Sequence, residues 1–303
     1  MNTTQSTSFL DFLNSSNYIL SDGATGSYLQ QHGLEPGDSP ERMNLSSPKI
    51  ITTMAKEYFD AGSDMVLTNS FGGNKFMLKK YKLLDQLDEI NIQAAGLAKS
   101  VASKNQWVVG SIGPTGEFLE PLGPCSKTEM YEAFAEQSIA LKNGGADAIL
   151  FETMTDLNEI QIGIKAAKEN TSLPVLATMT FDKGPKGYFT MMGISPIQAA
   201  MQLNETKVDV IGSNCGNGIE QMVIIAKILR DATTKNILIH SNAGMPIIQK
   251  GKTVYPESPD FMSNHFIELI KNNIKIIGGC CGTTPEHIAY LKQELTTTQW
   301  RNE

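Results

Sequence analysis

Apolar residues in this chain come in short, nearly unbroken runs at 18–24, 64–70, 107–113, 146–153, 174–181, 208–215, 236–244 and 274–281. Val, Ile and Leu dominate these runs. Continuous rather than alternating hydrophobicity marks strands buried on both faces. Between the runs, at 50–62, 127–145, 156–170, 219–232 and 260–273, apolar residues fall three or four apart, the spacing of an amphipathic helix. Strand followed by helix, repeated eight times in 303 residues, predicts an α/β fold in which a parallel sheet closes into a single (β/α)8 TIM barrel. No linker divides the units, so residues 1–303 read as one domain, with 1–17 as an N-terminal extension.

The punctuation between units agrees. Asp156 stands at an acidic helix start, and Ser195-Pro196 and Thr284-Pro285 each place a hydroxyl residue before a proline at the first helical position. Gly62, Gly144 and Gly145 follow helical segments as C-caps do. The longest inserts, 27–45, 115–124 and 245–259, all follow a strand and are expected on the catalytic rim.

Composition narrows the partners. A formal charge of -7 gives no footprint for nucleic acid or an anionic membrane, which leaves a small-molecule substrate or a protein partner. The first residues lack the layout of a signal peptide and no apolar run reaches membrane-spanning length, so a soluble, cytoplasmic protein is expected.

In such a barrel the residues at the C-terminal ends of the strands converge. Here they are Asp22, Asn69, Ser70, Glu152, Thr153, Cys215, Asn242, Cys280 and Cys281. Cys215 and the vicinal pair sit on near-neighbour strands, and three thiolates fill three corners of a tetrahedral zinc site. The fourth corner is left for substrate, which implies thiol activation. Successive side chains on a strand point to opposite faces, so Cys280 and Cys281 reach one metal only where the strand breaks; Gly278, Gly279 and Gly282 supply that freedom. A disulfide between vicinal cysteines would be strained. Cys125 stands apart as a free cysteine at a helix start, and His240 and His287 read as structural.

The segments Asp22-Gly23-Ala24-Thr25-Gly26, Leu67-Thr68-Asn69-Ser70-Phe71-Gly72, Ile112-Gly113-Pro114-Thr115-Gly116, Phe151-Glu152-Thr153, Asn214-Cys215, Asn242-Ala243-Gly244 and 278–284 resemble the signatures of zinc-dependent homocysteine S-methyltransferases. The resemblance extends from about residue 18 to 291. It leans toward the homocysteine-binding module of cobalamin-dependent methionine synthase, through Gly-Lys-Thr-Val-Tyr-Pro at 251–256 and Gly-Gly-Cys-Cys-Gly-Thr-Thr-Pro-Glu-His at 278–287.

The resemblance implies zinc on Cys215, Cys280 and Cys281, with homocysteine sulfur as the exchangeable ligand in place of water or Asn242. Asp22 and Glu152 would receive the substrate ammonium, and the N–H groups of Gly23 and Ala24 with Asn69 and Ser70 its carboxylate. The folate, cobalamin and reactivation domains of that synthase are not in this sequence, which points to a methylcorrinoid on a separate protein as the donor. Betaine, S-methylmethionine, another donor or another thiol remain alternatives, as does a non-catalytic zinc- or thiol-binding partner of a corrinoid protein. One departure, Ser213 before Asn214 and Gly-Asn-Gly after Cys215, falls beside a predicted ligand.

Overall fold

Runs that are apolar at every position need two cores, one on each face, and the strands find both. In the computed structural model, which describes residues 8–249 and 252–297, the inward residues Ile19, Met65, Val109, Leu150, Leu176, Val210, Leu238 and Ile276 pack together inside a ring. Their alternates, among them Val66, Val108, Ile149, Ala177, Ile211, Ile239 and Ile277, pack outward against helices.

The ring has eight parallel strands: β1 (Ile19–Leu20), β2 (Met65–Leu67), β3 (Trp107–Ile112), β4 (Ala148–Met154), β5 (Val175–Met179), β6 (Val210–Asn214), β7 (Asn236–Ser241) and β8 (Ile276–Gly279). Ladders run β1-β8-β7-β6-β5-β4-β3-β2. Each strand is followed by its covering helix: α1 (Pro48–Asp60), α2 (Leu87–Lys99), α3 (Lys127–Asn143), α4 (Leu157–Thr171), α5 (Pro196–Asn204), α6 (Ile219–Ala232), α7 (Pro259–Lys271) and α8 (Pro285–Thr297). Two of the expected helix-start signals work as side-chain caps. Asp156 accepts the Asn158 N–H and Ser195 forms a reciprocal capping box with Gln198 ahead of Pro196.

Side chains finish the seam between β1 and β2, where no regular ladder forms. Asp64 N–H donates to Leu20 O at 2.7 Å, and the Asp64 carboxylate accepts the Leu20 N–H at 2.8 Å. Asp147 and Asp209, also just ahead of their strands, take the N–H groups of Val108 and Val175 in the same way. The Asp64→Ala variant leaves the Leu20 N–H without its acceptor. A loss of about 1–3 kcal/mol in chemical denaturation is expected, with the fold retained.

Part of the N-terminal extension belongs to the barrel. A capping box between Ser8 and Asp11 starts the helix Phe9–Ser15, which inserts Phe9 and Leu13 into the inward core, with Phe9 edge-on to Trp107. Residues 1–7 of the extension, Lys250, Gly251 at the start of the 251–256 segment, and 298–303 lie outside the described residues.

The inserts are more ordered than their irregular composition predicts. Residues 27–45 contain most of the helix Thr25–Gln31, the single turn Pro40–Arg42 and most of the short helix Met43–Ser46. Residues 245–259 contain an antiparallel pair, Ile247–Gln249 with Lys252–Val254, and a second hairpin pairs Asp182–Gly184 with Gly187–Phe189.

Candidate metal centre and substrate cavity

Two residues above the apolar inward layer, the same period of two brings up Ser111, Glu152, Thr178 and His240, and four residues above it Asn214 and Cys280. The barrel interior therefore turns polar at the C-terminal ends of its strands, and the cysteines meet there. The sulfurs of Cys215, Cys280 and Cys281 all lie within 4.8 Å of one another, with Cys215 Sγ to Cys281 Sγ at 4.0 Å. Zn–S bonds of about 2.3 Å at tetrahedral angles place sulfurs about 3.8 Å apart, so the three fit a metal of that kind.

Local backbone makes this possible. β8 ends at Gly279, and the chain turns so that Cys280 N–H donates to Ser241 O (2.7 Å) while Cys281 O accepts the Ala243 N–H (2.9 Å). Gly282 completes the turn at φ +82°. Cys215 has φ +61°, a left-handed conformation rare for a residue with a side chain. Its N–H donates to His240 O and its carbonyl accepts from Asn217, which holds the strained turn.

The thiols share protons. Hydrogen bonds from Cys280 and Cys281 pull the Cys215 thiol far below its ordinary range, and the same contact with Cys215 pushes Cys280 and Cys281 up. A metal held by the three sulfurs would displace the protons they carry.

A cavity of about 350 Å³ is lined by all three cysteines. Gly23, Ala24, Asn69, Ser70 and Glu152 line it, whereas Asp22 and Asn242 stand behind the wall. Glu152 is buried, with Oε1 accepting from the Ser111 hydroxyl and Oε2 from Asn214 Nδ2 at 3.2 Å. Burial raises its carboxyl to about 7, helped by nearby Asp22 and Cys215 and opposed by the Ser111 bond. Burial likewise raises Asp22 to about 7, against its bonds from the Leu67 N–H (2.7 Å) and the Ser21 hydroxyl (3.1 Å).

The other predicted polar groups already have partners. Asn69 Nδ2 donates to Pro40 O and to Asn44 Oδ1, tying down the 27–45 insert, and the Ser70 hydroxyl donates to Ser111 O. The Ala24 N–H is taken by Thr283 O at 3.2 Å, while the Gly23 N–H has no partner among the described residues. A Cβ on Gly23 would lie 2.7 Å from Thr283 Oγ1, so this wall is built for glycine. Asn242 Oδ1 accepts the Cys281 N–H at 3.1 Å, and the Asn242 amide also bonds the Cys215 sulfur.

His287 bonds Thr284 through Nδ1 and Glu257 O through Nε2. His240 is buried and held neutral by burial, which lowers it to about 3. Neither belongs to the sulfur cluster. Cys125 is buried immediately ahead of the Ser126 cap of α3, apart from the other three.

Sequence reasoning missed Asn214 as a hub. Its Oδ1 accepts the Thr153 N–H and the Thr178 hydroxyl, both at 2.7 Å, and its Nδ2 donates to Glu152, to Thr153 Oγ1 and, at 3.9 Å, toward Cys280 Sγ. One amide thus links the carboxylate to a cysteine and holds Thr153 at φ +60°, within the irregularity in β4 between Phe151 and Met154. Asn214→Ala is expected to lower stability by about 1–3 kcal/mol through the unsatisfied Thr153 N–H. Metal retention should fall with it, checked by melting curves and metal analysis. Glu41, Phe71, Met77 and Tyr81 also line the cavity. Glu41 is buried with its Oε1 on the Gly72 N–H, a pairing across distant segments that local pattern does not reveal.

The profile of the homocysteine S-methyltransferases matches residues 19–295. The chain belongs to that family. It is 32% identical over 301 residues to the methionine synthase of Mycobacterium tuberculosis, covering 93% of this chain and 25% of that protein. The methionine synthase of Mycobacterium leprae is 30% identical over 89% of this chain and 24% of its own length. The chain therefore spans about a quarter of the length of these relatives. The metallated form of the homocysteine methyltransferase MmuM from Escherichia coli superposes with a TM-score of 0.78 at 20% identity, over 93% of this chain and 98% of that one, a likeness of fold. Among the described residues, no helix is long and apolar enough to cross a membrane.

Proposed function

We propose that this chain is a zinc-dependent S-methyltransferase that methylates homocysteine to methionine, with a methylcorrinoid on a separate protein as donor. The observation that carries the reading is the convergence of three cysteine sulfurs on a cavity that also presents a buried carboxylate, Glu152. Cys215, Cys280 and Cys281 would hold the zinc, with Asn242 as the exchangeable fourth ligand once it gives up the Cys281 N–H. When bound, zinc supplies the positive charge that turns a thiol of ordinary pKa near 8.5 into a thiolate at neutral pH.

The protein's own groups do the placing. Glu152 takes the substrate ammonium directly, and Asp22, behind the wall but close enough to perturb Glu152, adds its charge. The Gly23 N–H takes the carboxylate, while Asn69 and Ser70, already bonded within the protein, shape the wall, as does Ala24. Phe71, Met77 and Tyr81 present apolar surface that limits competing water. The sulfur attacks the methyl carbon in line, and the bond from that carbon to the donor breaks with its electron pair leaving on the donor.

A corrinoid donor is supported by the methionine synthases among the relatives and by the 278–287 motif. The helix Phe9–Ser15, seated in the inward core, supports reading the end of the N-terminal extension and the barrel as one domain. The test is methionine formation by the zinc-loaded chain from homocysteine and methylcobalamin, free or protein-bound, followed by corrinoid absorbance. Turnover with betaine or S-methylmethionine, and none with either corrinoid, overturns the donor assignment.

A further inference from the structure

β1 and β8 stay joined beyond the sheet they share. Ser21 N–H donates to Ile277 O at 2.7 Å and Gly279 N–H to Asp22 O at 2.8 Å. The chains then part around the Cys280–Cys281 turn and meet again where Ala24 N–H donates to Thr283 O at 3.2 Å. Close by, the Ser27 hydroxyl oxygen accepts the Gly282 N–H at 3.0 Å. Gly23 lies between the two meeting points. Its neighbours commit the Asp22 carbonyl and the Ala24 N–H to β8 and its loop, and Gly23 keeps a free N–H in a residue that lines the cavity.

A tyrosine that does not itself line the cavity fixes this crossing. Tyr58, in the last turn of α1, is buried, and its hydroxyl lies 3.0 Å from Ala24 O and 3.2 Å from Thr283 O. One carbonyl belongs to the loop after β1 and the other to the loop after β8, so the single phenol hydrogen ties the two loops together. The same oxygen presses against Gly23: a Cβ there would come within 2.9 Å of it and within 2.7 Å of Thr283 Oγ1. Thr283 is in turn fixed by its hydroxyl, which donates to Cys280 O at 2.6 Å. Gly23 thus has the cavity in front of it and the Tyr58–Thr283 pair behind.

We propose that Tyr58 is a positioning residue for the substrate carboxylate: its hydroxyl clamps the loops after β1 and β8 together behind Gly23 and so sets where the Gly23 N–H meets the ligand. The proposal rests on the reading of Gly23 as the carboxylate hook. A hydrogen bond to a carboxylate weakens steeply with length and angle, and a backbone donor, unlike a side chain, cannot turn to follow its acceptor. The hook is only as firm as the loop that carries it. Without the phenol, two buried carbonyls lose a donor, and the crossing relaxes to satisfy them. Thr283 O keeps the Ala24 N–H, so the loops shift without coming apart.

The test is Tyr58→Phe in the full, zinc-loaded chain, with calorimetric binding of homocysteine and of 3-aminopropane-1-thiol, which keeps the thiol and the ammonium and lacks the carboxylate. Wild type should bind homocysteine more tightly than the aminothiol. In Tyr58→Phe the homocysteine Kd should rise roughly 10-fold, the lower end of what a hydrogen bond to a charged group is worth, while the aminothiol Kd stays within about twofold of wild type. Zinc content should not change. Tyr28→Phe serves as the control, because the Tyr28 hydroxyl bonds Glu57 and neither loop, and both constants should stay at their wild-type values. An equal change for both thiols in Tyr58→Phe, or none for either, overturns the proposal and leaves the Gly23 hook standing. A wild-type protein that binds the two thiols equally overturns the hook and the proposal with it.

Discussion

Cys215→Ala is expected to abolish zinc retention and methyl transfer together. The remaining sulfurs come from adjacent residues on one turn, and two thiolates leave half of a tetrahedral shell to weak ligands. Partners that only touch a ligand cost roughly 10–100-fold in metal affinity when removed, and losing a ligand outright should exceed that range. Cys215 is half-buried at the cavity wall rather than packed in either core, so the truncation creates little void in the barrel. Relief of its left-handed strain is small, because alanine is disfavoured at φ +61° for the same steric reason. The check is metal analysis after dialysis against a chelator, beside circular dichroism and the methionine assay. A folded variant with full zinc and full activity would remove the thiolate cluster from the mechanism.

The eight strands were legible because each is buried on both faces, which writes an apolar run into the sequence. Their ends were less so: the 18–24 run contains only Ile19–Leu20 as strand, because the seam beside it is finished by the side chains of Asp64 and Asp22. The cysteines could be found because few roles other than metal binding bring thiols to several strand ends. Asp22 and Glu152 looked equivalent in the sequence, yet one stands behind the cavity wall and the other on it. Asp22 is drawn aside by the Leu67 N–H at the β1–β2 seam, a contact across 45 positions that leaves no local pattern. Asn214 and Glu41 act through contacts spanning about 30 to 70 positions, beyond the reach of any periodicity. The Ile247–Gln249 and Lys252–Val254 pair escaped because three-residue strands are too short to show alternation.

Glu152→Gln separates the two consequences of placing a carboxylate in this wall. In the ligand-free protein, burial raises Glu152 from 4.5 to about 7, so the folded state holds its proton more tightly than the unfolded chain. A raised pKa contributes stability that is full below the unfolded value and is lost as pH rises through the folded one. Wild-type stability should therefore fall between about pH 4.5 and 7, with Asp22 adding to the slope in the same direction. The glutamine variant should match wild type near pH 4 and exceed it at pH 8, by about 3 kcal/mol at most. Substrate binding should run the other way. An ammonium in the cavity favours ionised Glu152, so wild type binds homocysteine better as pH rises through 7, while glutamine offers no charge. A hydrogen bond to a charged group is worth about 1.5–3 kcal/mol, which corresponds to a roughly 10- to 150-fold rise in KM for the variant. The ratio of variant to wild-type KM should grow from pH 6 to pH 8, and taking the ratio cancels the pH dependence of the thiol that both proteins share. A ratio near one throughout would move the ammonium away from Glu152, and a variant less stable than wild type at pH 8 would mean that the ionised carboxylate is better solvated in the wall than its burial implies.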